Sequence, residues 1–340
     1  MKPATSMELA PAFVHQAGEY PSAMGIAAAG NRVLLGTGAG ELRGLDLGTG
    51  ALSFQTQAHE GVLLSLAAHP AEPLVATGGQ DKRLLVTHAD TGAMIFERPA
   101  GDGWAEHVAW SPDGSMLLVS AGKRARLFAK NGDPMLESES LPSTIAGIAW
   151  SRDAEQFAVA CYGGVHVFSV AARQQVKHFA WKGSLISIAW SPDNKVIACG
   201  SQDCSVHFWR VKTGQDSQMT GYPFKPRVLG WDARGSQLAT GGDSTVTVWD
   251  FAGRGPEGSM PTQLKGHRAV LTALAWSPTK GVLASGADDM GILLWEPRKS
   301  DKAFAFAFMQ DQITSLCWAP NHKALVAADA SGAIAAFATT

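Results

Sequence analysis

His267, Ser285 and Asp289 fall within one short stretch of the chain. A histidine, a serine and an aspartate are the side chains of nucleophilic acyl transfer, in which the imidazole takes the hydroxyl proton and the carboxylate orients the ring. Four cysteines (Cys161, Cys199, Cys204 and Cys317) and ten histidines raise a second chemistry, metal ligation. The interval from Cys199 to Cys204 is wider than the paired-cysteine spacing of a zinc site, and no second pair matches it. His59 and His69 are separated by one strand's length, which sets them at opposite ends of a sheet. The expectation is no metal and no cofactor, with reduced and mostly buried thiols. Gly36, Gly38 and Gly40 of LLGTGAGELRG superficially match a dinucleotide loop. They join two strands and no helix follows, so the amides and dipole that would cradle a phosphate are missing. No P-loop, nucleophile elbow or kinase phrase is present, and nothing nominates a catalytic group.

The elements that must position these residues are written in the tryptophans. Six of the eleven close similar phrases: HVAWSPDG at Trp110, GIAWSRDA at Trp150, SIAWSPDN at Trp190, VLGWDARG at Trp231, ALAWSPTK at Trp276 and SLCWAPNH at Trp318. Their spacings are 40, 40, 41, 45 and 42, the mark of a repeated supersecondary unit. Ala68 of SLAAHPAE and Ala28 of GIAAAGNR extend the series backwards to eight units, and 340 divided by eight is 42.5. Each unit has period-two alternation with turn punctuation, hence short strands. In the fifth, LISIAW, KVIACG, SVHFWR and a strand around QDSQMT are separated by SPDN, SQDC and VKTG. Proline presets the first turn and aspartate or asparagine tolerates its geometry. The tryptophans at the strand ends read as packing wedges between neighbouring units.

Composition agrees with one large packed unit instead of two domains. The chain is 46% hydrophobic and 17% charged, enough to bury a sizeable core. Its net charge of −2 gives no global field for nucleic acid or an anionic membrane. No apolar run reaches the roughly 18 residues of a membrane span. MKPATSMELAPAFVHQAGEY lacks a continuous apolar stretch and does not read as a secretory signal, so a cytoplasmic location is expected.

The sequence resembles the WD-repeat β-propellers from about Pro11 to Phe337. The signature dipeptide stands at Trp249-Asp250, is softened at Trp295-Glu296 and Trp209-Arg210, and becomes Phe128-Ala129, Phe168-Ser169 and Phe337-Ala338 elsewhere. The resemblance implies a buried structural network of histidine, serine or threonine, aspartate and tryptophan. The seventh unit matches it completely with His267, Ser285, Asp289 and Trp295. The second has His59, Thr77 and Asp81, with Thr87 in the tryptophan's place. The fifth keeps Asp203 and Trp209 but has Cys199 and Trp181 at the serine and histidine positions, and the sixth keeps Asp243 and Trp249. On this reading the apparent triad is structural, its groups satisfying one another inside a blade.

The expected fold is all-β, a single β-propeller over residues 1–340 with eight four-stranded blades. The blades fall near 22–57, 62–98, 104–138, 144–179, 184–220, 225–264, 269–308 and 312–338. The last unit lacks a fourth strand, and residues 11–16 (PAFVHQ) are expected to supply it, closing the ring and covering its edge. Seven blades stand as the alternative, although RVLLGTG and ELRGLDLGTG would then have nowhere to go.

The expected function is a non-catalytic scaffold, a monomeric propeller within a complex, that binds a peptide or protein on one loop face. In the family that face is built from the loops entering each first strand and the turns after each second strand. Trp104 and Trp181 stand outside the repeat and map there as partner-binding candidates. Lys225 at an entry position and Gln80, Gln202 and Asp288 in the turns join them. A basic cluster, Lys82, Arg83, Lys123, Arg124 and Arg126, spans blades two and three, suited to an acidic-aromatic peptide. The alternative is a small-ligand or enzymatic propeller using the central channel. Against it, the first strands read IAAAG, LSLAA, HVAW, GIAW, SIAW, LGW, LAW and LCW, nearly all apolar or small. Nucleic-acid binding stands last. The loop from Phe251 to Gln263 is expected on the opposite face as flexible surface.

Overall fold

The computed structural model describes residues 6–253 and 255–339. Within them the chain forms a ring of eight antiparallel sheets around a central channel. The inner strands of blades one to eight are Pro21–Ile26, Leu63–Ala68, Ala105–Trp110, Gly147–Trp150, Ala189–Trp190, Val228–Trp231, Leu271–Trp276 and Ile313–Trp318. From each of the first seven, the chain steps outward through a second, a third and an outer strand. In blade two, for example, Leu63–Ala68 is followed by Leu74–Gly79, Arg83–His88 and Met94–Pro99.

Blade four condenses this plan. One extended run, Gln156–Ser169, pairs by its first half with the inner strand and by its second half with Gln174–Ser184. It doubles back through Gly163 and Gly164, whose φ of 92° and 129° favour glycine. Phe157 and Phe168 consequently stack at 5.0 Å.

Alternation along the strands sends side chains to both faces of every blade, so the core is distributed over the eight seams. At the seam of blades two and three, Ala76, Leu84 and Val86 meet Val108, Trp110, Leu117 and Phe128. Each fully buried aliphatic side chain at such a seam contributes about 1.5–3 kcal/mol.

Five of the six repeated tryptophans bond as well as pack, Trp190 Nε1 being buried without a partner. Trp110 Nε1 donates to Ala67 O at 3.1 Å, Trp150 to Ala109 O at 3.2 Å and Trp231 to Ala189 O at 3.3 Å. Trp276 donates to Gly230 O and Trp318 to Ala275 O, both at 2.9 Å. Each indole thus ties an inner strand to the blade before it. The turns that follow are pinned by Ser111, Ser151 and Ser191, whose hydroxyls donate to Asp113, Asp153 and Asp193 at 2.5–2.7 Å.

The ring closes as the sequence predicts. Pro11–Gln16 pairs antiparallel with Ala333–Ala338 and becomes the outer strand of blade eight. Phe13 is buried at this seam with Met24, Val33, Val326 and Ile334. A second tie was not expected: Met7–Glu8 pairs in parallel with Ala305–Phe308, a fifth strand on blade seven. No helix among the described residues is long and apolar enough to cross a membrane.

Candidate interaction face

Histidine relays anchor the loops that enter blades two and seven. In blade seven the Trp295 indole donates to Ser285 Oγ at 2.8 Å, Ser285 donates to His267 Nε2 at 2.8 Å, and His267 Nδ1 donates to Asp289 at 3.1 Å. Asp289 also accepts the backbone N–H groups of Arg268 and Gly291. The chain of donors runs from the third strand through the blade to the entry loop, which it fixes. In blade two Thr77 donates to His59 Nε2 and His59 donates to Asp81, both at 2.9 Å. Thr87, facing them from the tryptophan's place, leaves its buried hydroxyl without a partner. Burial holds both imidazoles below the ordinary histidine pKa, so they are neutral, and Asp81 and Asp289 are held low by the hydrogen bonds they accept, against the effect of their own burial. Each serine or threonine has its proton committed to a ring nitrogen that is walled in, so the group is a structural relay and not an exposed triad.

Blade six builds the same relay from a residue the sequence reading missed. Tyr222 Oη lies 2.6 Å from Thr240 Oγ1, and Trp249 Nε1 donates to that phenol at 2.7 Å. In blade five Trp181 takes the position. It belongs to the extended outer strand Gln174–Ser184, packs on the His207 ring at 3.9 Å and donates to Ser201 Oγ at 3.3 Å. It is partly buried, turned into the blade.

Trp104 is placed differently. Half of its surface is exposed. It follows Gly103, which approaches Gly122 so closely that a Cβ there would stand 2.6 Å from the Gly122 nitrogen. That approach sets Trp104 beside Lys123, the residue after Gly122. Tyr20, Tyr162, Phe224, Val270 and Met290 are also exposed on entry loops and turns of this face. Lys225, Gln202 and Asp288 are exposed, whereas Gln80 is tied to the entry loop through Val62 N.

The basic cluster needs correction. Arg83 bonds Asp81 at 2.8 Å and Glu97 at 3.1 Å. Arg124 and Arg126 share Glu137 at 3.5 and 3.2 Å. These acids come from turns and outer strands that fold back alongside the arginines. Only Lys82 and Lys123 of the five stand in no ion pair among the described residues, and Lys123 Nζ donates to Pro142 O.

The apolar reading of the channel also needs correction. The quoted phrases stop short of Ser22, Glu106, Arg227, Thr272, Thr314 and Ser315, which lie at or just before the entry ends of the inner strands, and His107 and Ser187 add polar groups within them. In blades one, two, three, seven and eight a register shift falls at this point, and a bulge re-aims the unpaired residue. Burial raises the Glu106 carboxyl above its ordinary pKa.

On the opposite face the Phe251–Gln263 loop is pinned to blade five, where Arg210 bonds Glu257 at 2.9 Å. Met260, 92% exposed, lies at its far side. Arg254 lies outside the described residues. Among those residues no group of three or more His, Cys, Asp or Glu side chains is arranged to hold a metal.

Comparisons with known proteins agree with this geometry. The family model "WD domain, G-beta repeat" matches residues 50–87, 173–210, 225–250 and 258–296. WD repeat-containing protein slp1 of Schizosaccharomyces pombe is 26% identical over 254 residues, covering 72% of this chain and 43% of that protein. Anaphase-promoting complex subunit cdh1 of Dictyostelium discoideum is 30% identical over 140 residues, covering 39% of this chain and 17% of that protein. The chain spans less than half the length of these curated relatives. The crystal structure of the computationally designed Ika8 protein superposes with a TM-score of 0.82 at 19% identity, covering 99% of both chains, a likeness of fold alone. The matched repeats and the eight blades in a ring thus show an eight-bladed β-propeller that carries WD repeats.

Proposed function

We propose that this propeller is a non-catalytic interaction scaffold that receives a peptide or protein partner on its loop face, with Trp104 as the anchor. The observation that carries the reading is the half-exposed Trp104 indole, held on a loop braced by the Gly103 to Gly122 approach, with Lys123, which stands in no ion pair, next after Gly122. An aromatic on a braced loop near a lysine in no ion pair fits an acidic segment carrying an apolar side chain, because an anchor on an ordered loop loses little entropy on binding. The relays stiffen neighbouring loops of the same face. Similarity to subunits named for the anaphase-promoting complex supports a role as one adaptor within a larger assembly. A cytoplasmic location belongs to the same proposal.

Affinity purification of the full chain from its native cell, followed by mass spectrometry, supplies the partner set. Trp104→Ala combined with Lys123→Glu should remove one or more partners while leaving the melting temperature unchanged. Retention of every partner by the double variant would exclude this site.

A further inference from the structure

A second site lies in the central channel. Blades five to eight wall an open cavity of about 340 Å³ there, lined by Ser187, Ile188, Arg227 to Leu229, Thr272 to Leu274 and Thr314 to Leu316. Arg227 is the one charged side chain of that lining, and no carboxylate accompanies it. Its guanidinium is exposed and makes no ion pair or hydrogen bond among the described residues. This contrasts with Arg83, Arg124 and Arg126, each paired with an acid. Glu106 occupies the corresponding inner-strand position in blade three, on the wall away from this cavity.

Hydroxyls complete the lining. Ser187 donates to Pro226 O at 3.3 Å, Thr272 to Gly286 O at 3.2 Å and Thr314 to Ala328 O at 3.1 Å, long bonds that leave the oxygens turned along the wall. The Ser315 hydroxyl makes no hydrogen bond among the described residues, so its proton is uncommitted. A planar fork of N–H donors, a free hydroxyl and low-dielectric aliphatic walls from Ile188, Leu229, Leu274 and Leu316 concentrate positive potential at one place.

We propose that the channel binds a small oxyanion, a phosphate or a carboxylate group, on Arg227 with Ser315 as second donor. The site is independent of the loop-face scaffold reading, since Trp104 and Lys123 stand on blade three. Arginine matches both oxyanions because its two parallel N–H groups span two oxygens of either.

Calorimetric titration of the full chain with inorganic phosphate, and separately with succinate, at constant sodium chloride tests it. The expected result is saturable binding of at least one of them, with a dissociation constant at or below about 10 mM. Arg227→Gln should weaken it at least about tenfold, a loss of about 1.4 kcal/mol, and Ser315→Ala several-fold. Lys195→Gln, in a turn on the opposite face where Lys195 pairs with Asp193, should leave it unchanged. Binding of phosphate alone identifies a phosphate site, and of succinate alone a carboxylate site. No saturable binding of either, or equal binding by Arg227→Gln, overturns the proposal. Arg227 has no bond to lose, so the variant's circular dichroism and melting temperature should match the parent's.

Discussion

Tyr222 Oη lies 2.6 Å from Thr240 Oγ1 across an interval of 18 residues, the same interval that separates His59 from Thr77 and His267 from Ser285. A phenol therefore does in blade six what an imidazole does in blades two and seven. It accepts from Trp249 and shares a hydrogen bond with Thr240, joining three elements through one oxygen. Tyr222→Phe deletes both bonds and strands the Trp249 N–H. It should cost about 2 kcal/mol in urea unfolding. Parental stability in this variant would show that the phenol contributes no net stabilisation.

The two relay imidazoles make a pH prediction. His59 and His267 have folded pKa values held below 6.5 by burial, so the native state binds fewer protons than the unfolded chain once pH falls past that value. Stability is then lost as pH drops below about 6.5, and the depressed Asp81 and Asp289 extend the loss further into acid. Melting temperatures should stay nearly level from about pH 8 to 7 and fall from there to about pH 5. A flat profile across that range would contradict neutral, buried imidazoles.

Thr87 offers a gain. Its buried Oγ1 has no partner, so Thr87→Val removes an unsatisfied hydroxyl at nearly constant shape. Stability should rise by about 1 kcal/mol. A loss on valine substitution would mean that the hydroxyl is satisfied by bound water.

Ring closure can be probed at one side chain. Phe13 is 9% exposed and packs between blades eight and one, against the Gly50 turn. Phe13→Ala should cost about 3–5 kcal/mol, and removal of residues 1–16 should yield insoluble or protease-sensitive protein. Unchanged thermal stability of the truncated chain would refute closure by this strand.

The tryptophan repeat was legible because five of its six indoles meet two demands at once, filling a seam and reaching the neighbouring carbonyl, while Trp190 fills its seam with its N–H unpartnered. Blade count and the closing strand followed from that period. Tyr222 escaped notice because its type changed while its interval held, and interval alone is visible only beside the other relays. The pairing of Arg124 and Arg126 with Glu137 was hidden for another reason, since the acid lies on an outer strand whose register no local pattern reveals. Arg227 was overlooked because it lies just before its apolar inner strand, Val228–Trp231. The Met7–Glu8 tie is two residues long, too short to carry any periodicity.

That same tie bears on how the protein is made. Ser6 Oγ donates to Ala303 O, a contact across 297 positions. At ordinary synthesis rates the later residue emerges about 15–60 s after the earlier one. Throughout that interval Phe13 and its strand have no edge to join, and seven nascent blades stand as an open arc whose first seam faces the cell. A segment translated before the blades it ties therefore docks after them, which leaves the ring open until its last strands emerge.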